Sequence, residues 1–382
     1  MRQVAVIVAF MGCLVACGST FNAPFSSGSL PNSVSVGGGS GKALTHTGLA
    51  NGASLSGPRN VGTQVWLVPA PASDMLKLAT NPELWPQARA RVDVLSLYQL
   101  HAYHDSEFVC GTPCGPNVLR AFLDAVPGGY FRWVNEQGIE LGMEAPAVKE
   151  WSCTEQLVRE RNVAPSVIAL DNISASGGRV SYISMDEPFA AGTAPVGRGR
   201  GGCALPASQI ATMVKVYADG VHERYPEVKI GLIEPYPYLT ADEIISNILE
   251  LERAGVPVPY FHLDYDQPAV IRERRDARAA QSEVRRIREF CAARDIPFGI
   301  ILTALDCTSN EQFATDTWAM LRNVLPIVGV TEHTIFQSWA EDPPGDLNSL
   351  KHIPDTVPES NEVSHTGQLL RMLEFMGVKP AS

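Results

Sequence analysis

The chain has 382 residues, 41 acidic against 30 basic side chains, a formal net charge of −11 and 45% hydrophobic residues. That is enough chain for one large α/β domain with a sizeable core. The acidic balance and the lack of any long Lys/Arg run exclude nucleic acid as a partner class. The one basic cluster, Arg272 to Arg278 continuing through Arg285, Arg286 and Arg288, is interleaved with acids and reads as a solvated helix face.

Arg2 is the only charge before Lys42, and Val4 to Ala16 is an apolar stretch too short for a permanent membrane span. The run ends in Leu14-Val15-Ala16-Cys17-Gly18, which resembles the lipobox of bacterial lipoproteins. The resemblance implies a signal peptide over 1–17 and Cys17 as the lipidated residue, with plain secretory cleavage as the alternative. With no acidic residue in Gly18-Ser19, it implies an outer-membrane or cell-surface address, so that the membrane is met through a lipid anchor only. Residues 18–60 are rich in Gly, Ser, Asn and Thr and nearly uncharged, a composition that suits a flexible tether. The folded domain is expected over 61–382.

Eight strand-like runs follow, each leading into a helical or loop-plus-helix stretch. They are Gln64 to Val68, Val92 to Tyr98, Ile139 to Met143, Val180 to Met185, Val228 to Ile233, Tyr260 to Leu263, Phe298 to Leu302 and Thr334 to Ser338. Their apolar character is nearly continuous, as strands buried on both faces require. Helical spacing is read over Asn117 to Val126, Thr154 to Arg161, Pro206 to Tyr225, Ala241 to Ala254, Ala277 to Arg294, Glu311 to Val324 and His365 to Met376. Thr240-Ala-Asp-Glu243 has the form of a capping box, and Gly255 and Gly377 stand where helix C-termini need a left-handed residue. Eight β–α repeats without a Gly-x-Gly-x-x-Gly after the first strand predict a (β/α)8 TIM barrel rather than an open nucleotide-binding sheet.

Eight cysteines are present. Beyond Cys13 and Cys17, an exported domain would use Cys110, Cys114, Cys153, Cys203, Cys291 and Cys307 for disulfides, with Cys110–Cys114 a local staple and Cys153 and Cys203 near the loops flanking strands three and four. No two-pair Cys-x-x-Cys spacing with partner histidines suggests zinc.

The chemistry-bearing residues gather where strands end. Asp186 and Glu187 close strand four before Pro188, Glu234 closes strand five before Pro235, Asp264 and Asp266 follow strand six, Asp306 follows strand seven, and Glu341 and Asp342 follow strand eight. All strands of a parallel barrel point one way, so these carboxylates collect on one face. Tyr98, Gln99, His101, Glu144, His262 and Gln337 lie at other strand ends and suit hydroxyl binding, and Trp339 suits stacking on a sugar face. Competing structural roles are an Arg or Lys ion pair for Asp186, a helix cap for Asp266, a loop start for Glu234, a turn for Asp306, a solvated loop for Glu341 and Asp342, a barrel-interior role for His262 and a core role for Trp66. His101, His104, Asp105 and Glu107 form a loop cluster that offers a metal alternative, but no Gly-x-Ser-x-Gly elbow, Walker motif or His-Glu-x-x-His occurs, and no cofactor is expected.

Asp186-Glu187-Pro188 resembles the motif of the large clan of (β/α)8 glycoside hydrolases, in which Asn-Glu-Pro or a similar triplet ends strand four and supplies the acid/base glutamate. The resemblance covers the architecture of 61–377 and this one motif. Asp stands here for the Asn that contacts the sugar 2-hydroxyl in the clan. The clan's nucleophilic Glu ends strand seven, where this chain has Leu302-Thr303-Ala304-Leu305-Asp306. A second glycosidase clan pairs an Asp on strand four with an Asp on strand six, which Asp186 and Asp264 would match. Glycoside hydrolysis needs two carboxylates, one to protonate the leaving oxygen and one to attack or activate water. The expectation is a polysaccharide-acting hydrolase with Glu187 as acid and Glu234 or Asp264 as nucleophile or base. The alternative is a non-catalytic carbohydrate-binding lipoprotein on a degenerate glycosidase barrel.

Overall fold

The computed structural model describes residues 59–69, 72–103, 118–195, 202–273, 276–305, 307, 309–338 and 357–381. Eight strands form a closed parallel barrel in sequence order: β1 (Gln64–Pro69), β2 (Val94–Tyr98), β3 (Glu140–Ala145), β4 (Val180–Asp186), β5 (Lys229–Tyr236), β6 (Phe261–Tyr265), β7 (Phe298–Leu302) and β8 (His333–Ser338). β8 closes onto β1 over the whole length of both strands, from Gln64 beside His333 to Pro69 beside Ser338. The (β/α)8 expectation is met.

Helices fill the connections. They are α1 (Ala72–Thr80), α2 (Pro86–Arg89), α3 (Leu100–Tyr103), α4 (Val118–Asp124), α5 (Tyr130–Glu136), α6 (Glu155–Val158), α7 (Ala164–Ala175), α8 (Pro188–Thr193), α9 (Ala207–His222), α10 (Ala241–Arg253), α11 (Gln267–Arg272), α12 (Ala277–Ala292), α13 (Asn310–Val328) and α14 (His365–Phe375). α10 starts at the Thr240/Glu243 capping box, and Gly255 and Gly377 have the expected positive φ. The helix expected to stop near Arg161 instead continues, because a wide turn over Arg159–Val163 joins α6 to α7. Pro165 lacks an N–H for the regular ladder, and the wider turn absorbs that gap.

Strand alternation divides the core in two. Residues of one parity, such as Leu67, Leu95, Met143, Ile183, Leu232 and Leu263, pack under the helices. Those of the other parity close the lumen: Trp66, Val94, Tyr182, Ile233, Tyr260, Ile301 and Ile335 pack together there. Trp66 lies 4.9 Å from Tyr182, 5.6 Å from Tyr260 and 4.8 Å from His262, ring centre to ring centre. Its indole N–H donates to Gln64 Oε1 at 3.0 Å, and Tyr260 Oη donates to the Ile183 carbonyl at 2.6 Å. Trp66 therefore has its core role, and the aromatic plug makes the barrel floor a packed solid. Two strand glycines make room for it. A Cβ on Gly231 would stand 2.3 Å from the Tyr260 ring, and one on Gly299 would stand 2.7 Å from His262.

Cys153 and Cys203 form a disulfide across 50 residues of sequence, with Cα atoms 5.3 Å apart. It ties the loop after β3 to the segment after α8, both on the side where the strands end. Cys291 is a buried thiol whose pKa burial pushes up to about 12. Cys110 and Cys114, like Cys17 and the tether, lie outside the described residues.

Gly231→Ala should destabilise the barrel by about 1–3 kcal/mol through overpacking, read as a lower urea midpoint with unchanged slope. Gly231→Ala combined with Tyr260→Leu should cost less than the sum of the two single variants, because the Tyr260 ring is what the added methyl meets.

Candidate active site at the barrel mouth

Lumen parity selects which side chains reach the C-terminal mouth. Tyr98 follows Val94, Glu144 follows Glu140, Asp186 follows Tyr182 and Asp264 follows Tyr260, each by two alternations, while Gln337 follows Ile335 by one. β5 and β6 extend further than expected, through Tyr236 and Tyr265, so Glu234 and Asp264 lie inside the ladder. Glu234 sits one residue past lumen-facing Ile233 and so has the opposite parity. Asp264, beside Pro235 on one flank and Ile301 on the other, faces the lumen.

Lys149 is the side chain that the sequence reading missed. Its Nζ lies 2.6 Å from Asp186 Oδ2 in a pair whose side chains keep only 10% and 23% of their exposure. The turn that presents it is tightly held. Ser152 Oγ accepts from Lys149 N at 2.9 Å and donates to Lys149 O at 3.1 Å. Asn162 Nδ2 donates to Ala147 O at 2.7 Å and to Ser152 Oγ at 2.8 Å. Cys153 then anchors the loop through its disulfide. Burial works against the Lys149 charge, but Asp186 and Glu187 more than offset it and hold the ammonium above its usual pKa. Asp186 thus has the ion-pair partner that its competing reading required.

Glu187 leaves the strand in the left-handed region, with φ 48° and ψ 47°. Its N–H donates to Ile233 O at 3.2 Å, and its carbonyl accepts from Ala191 N at 3.0 Å as α8 begins. Pro188 occupies the first turn of α8, where no N–H is needed. Glu234, fully buried, accepts from Phe189 N at 2.8 Å on Oε1 and from Ala190 N at 3.1 Å on Oε2.

The mouth holds its protons. Burial, then the nearby Asp186 charge, pushes both Glu144 and Glu187 well above the usual carboxyl range, with Lys149 opposing in each case and Asp264 adding to the rise. Burial raises Asp264 to about 7, helped by Asp266 and Asp186. Burial raises Glu234 to about 8, against the pull of the Phe189 and Ala190 amides. Asp264 Oδ1 is buried with no hydrogen-bond partner among the described residues.

The remaining candidates separate. Gln337 Nε2 donates to Tyr98 Oη at 2.9 Å, a pair on the β8–β2 side of the mouth. Gln99 turns away and donates to Ser166 Oγ at 2.8 Å beneath the helices. Asp266 caps α11, accepting from Ala269 N at 2.8 Å, and takes the Tyr238 hydroxyl at 2.7 Å. His262 Nε2 lies 2.9 Å from His333 Nδ1 in the lumen below the mouth, and burial holds both rings well below their usual pKa. His101 is buried against Phe122, its ring centre 5.7 Å away, and burial lowers its pKa to about 4. Trp339, Asp306, Glu341, Asp342, His104, Asp105 and Glu107 lie outside the described residues. Among the described residues no group of three or more His, Cys, Asp or Glu side chains is arranged to hold a metal. The chain gave one usable sign of Lys149: it lies four residues past the strand end at Ala145, on a loop shortly before a cysteine.

No protein-family model matches the chain, and no curated protein matches it in sequence. Solved structures do. A GH5_18 protein from Streptomyces cattleya, in complex with GlcNAc, is 10% identical over 83% of this chain and 80% of that one, with a TM-score of 0.52. The GH53 catalytic domain of Ignisphaera aggregans is 12% identical over 82% and 91%, with a TM-score of 0.48. A D-allulose 3-epimerase from Methylomonas sp. is 14% identical over 82% and 98%, with a TM-score of 0.45. At these identities the likeness is one of fold, and glycoside hydrolase barrels are among the structures that share it.

Lys149→Met should leave the Asp186 carboxylate without its cation and cost up to about 3 kcal/mol, the residual exposure of Asp186 trimming the full penalty of a broken buried pair. Chemical denaturation of Lys149→Met beside Lys149→Met/Asp186→Asn checks this, because the double variant should regain part of the loss.

Proposed function

We propose that the barrel mouth hydrolyses glycosidic bonds of a polysaccharide, with Glu187 as proton donor and Asp264 as the second carboxylate. The observation that carries this reading is a pair of mouth carboxyls, Glu187 set by a left-handed turn just past β4 and Asp264 on β6 with its buried Oδ1 lacking a hydrogen-bond partner among the described residues. Burial raises Asp264 to about 7, and burial together with the charges of Asp186 and Asp264 raises Glu187 well above the usual carboxyl range. In this reaction the ionised Asp264 attacks the anomeric carbon or activates water, and Glu187 gives its proton to the leaving oxygen. Glu144, also protonated, would donate to a sugar hydroxyl. Asp186 is held by Lys149 and serves as a fixed charge rather than as the second reacting group. Tyr98, Gln337 and Trp339 would complete the sugar-binding rim.

A second reading, a carbohydrate-binding barrel without turnover, draws on strand seven. Thr303 follows lumen-facing Ile301 on that strand, and a threonine cannot act as an ionised nucleophile. In either reading the lipid on Cys17 and the tether over 18–60 would hold the barrel at the outer membrane or cell surface, free to sample glycan around its anchor. Cys17→Ser in the full chain should move the protein from the membrane fraction to the soluble one; retention in the membrane fraction would remove the anchor from the account.

Reducing-sugar release from a panel of bacterial and plant polysaccharides, wild type beside Glu187→Gln, tests the function. Loss of about 10²–10⁴-fold on substitution is expected of a general acid. Glycan binding with no release, unchanged in Glu187→Gln, would favour the binding protein. For the enzyme, kcat/KM should rise as pH passes about 7, where Asp264 ionises. Asp264→Asn should remove the acidic limb together with most of the activity.

A further inference from the structure

We propose that Glu234 is a positioning residue for Glu187, a buried clamp from β5 that fixes the backbone from which the proton donor projects. The proposal rests on the reading of Glu187 as the donor, and its test also has a readout that does not depend on turnover.

A glutamate with φ 48° and ψ 47° is unfavourable, because its Cβ crowds the following carbonyl by about 1–2 kcal/mol. Such a residue persists only where its surroundings over-determine it. Two consecutive residues of β5 do so here. Ile233 O takes the Glu187 N–H at 3.2 Å on one side of the turn. On the other side the Glu234 carboxylate takes Phe189 N at 2.8 Å and Ala190 N at 3.1 Å. Between them Pro188 disfavours the right-handed helical conformation for Glu187 and offers no N–H of its own. Removing the Glu234 carboxylate would leave two amides without acceptors and free the start of α8, so that the turn could relax toward ordinary backbone and swing the Glu187 side chain off its line.

The alternation of β5 explains why Glu234 does this rather than chemistry. Its side chain is on the helix side of the sheet, fully buried, with an amide on each oxygen. It reaches the mouth through the backbone it holds and through its charge. The ionisable groups that act on Glu187 are Asp186 beside it, Lys149 from the loop after β3, Asp264 from β6 and Glu234 from β5. Of these, Lys149 favours ionisation and the three acids oppose it.

A simple helix cap makes a sharp rival, and the fold contains one for comparison. Glu359 accepts from Gln87 N at 3.2 Å and Ala88 N at 3.0 Å at the start of α2, the same carboxylate-to-two-amides arrangement on another element. Glu234→Ala, Glu234→Gln and Glu359→Ala should each lower the denaturation midpoint. Only the Glu234 variants should lower kcat, about 10–100-fold for Ala with KM little changed, with Gln recovering part because it keeps an acceptor for one amide. Independently of turnover, the side-chain carboxyl carbon of Glu187, assigned by its loss in Glu187→Gln, can be titrated by NMR in 13C-glutamate-labelled full-length protein. Its midpoint should fall in Glu234→Ala and stay unchanged in Glu359→Ala. If Glu234→Ala does not fold, Glu234→Gln carries the same comparison. A midpoint that falls further in Glu234→Ala than in Glu234→Gln, which loses the same charge but keeps an acceptor, would uphold the clamp. Finding this in a protein that releases no sugar would sink the hydrolase reading. An equal fall in both, with equal kcat, would trace to the lost charge alone and overturn the clamp. Equal behaviour of the Glu234 and Glu359 variants, in kcat and in the Glu187 titration alike, would reduce Glu234 to a cap and overturn the proposal.

Discussion

Everything at the mouth depends on the strict two-residue alternation of a closed parallel sheet. Once Trp66, Tyr182, Tyr260 and Ile301 are committed to the lumen, the residues between them and the mouth are each assigned a side, and the register shift between β3 and β4 falls below Tyr182, where it leaves that assignment intact. Asp264 and Asp186 inherit the lumen because they stand two alternations above the tyrosines of the plug. Glu234 inherits the helix layer because it stands one residue past Ile233. The same plug sets the electrostatics. Gly231 and Gly299 let Tyr260 and His262 fill the barrel, so the mouth acids rest on aromatic rings instead of on water. Burial over such a floor is the first cause of the raised pKa values of Glu144, Glu187 and Asp264 alike.

Charge balance then divides the acids into roles. One ammonium, Lys149, meets four mouth carboxyls, and its contact at 2.6 Å with Asp186 commits it. The paired Asp186 is a fixed negative charge that makes the second ionisation around it harder, and the third harder still. Proton retention by Glu187 is thus a property of the whole cluster. The disulfide from Cys153 to Cys203 and the Ser152–Asn162 bonds gain their relevance here, because they hold the loop that carries Lys149 to the cluster.

The barrel was legible in the sequence because near-continuous apolar runs at one repeat length have few other meanings, and all eight strands lie where those runs predict. The mouth was legible only in part. Proline misled the reading at strand five. Pro235 reads as the end of that strand, yet the strand runs through it to Tyr236, so Glu234 looks like a loop residue when it is a strand residue with a definite parity. Counting alternation outward from Ile233 would have placed Glu234 correctly. Lys149 offered less, since its partnership depends on a loop whose shape is set by a serine, an asparagine and a disulfide that no local spacing announces. Asp266 and Gln99 show the converse: polar residues at strand ends whose needs are met by a helix start and a hydroxyl beneath the helices.

The departure at strand seven has a physical consequence for where the second carboxylate must come from. Thr303 is nearly fully buried, and its Oγ1 has no hydrogen-bond partner among the described residues. On the neighbouring strand Asp264 Oδ1 is in the same condition. Each buried polar atom left in this state costs about 1–3 kcal/mol, a cost that Asn162 Oδ1 and Ser181 Oγ also bear elsewhere in the fold. Asp264 Oδ1 on β6 and Thr303 Oγ1 just past β7 differ from those in lying where neighbouring strands reach the mouth, above the aromatic floor. In the proposed hydrolase these two atoms would take hydroxyl groups of the bound sugar, and Asp264 would supply the carboxylate that strand seven lacks.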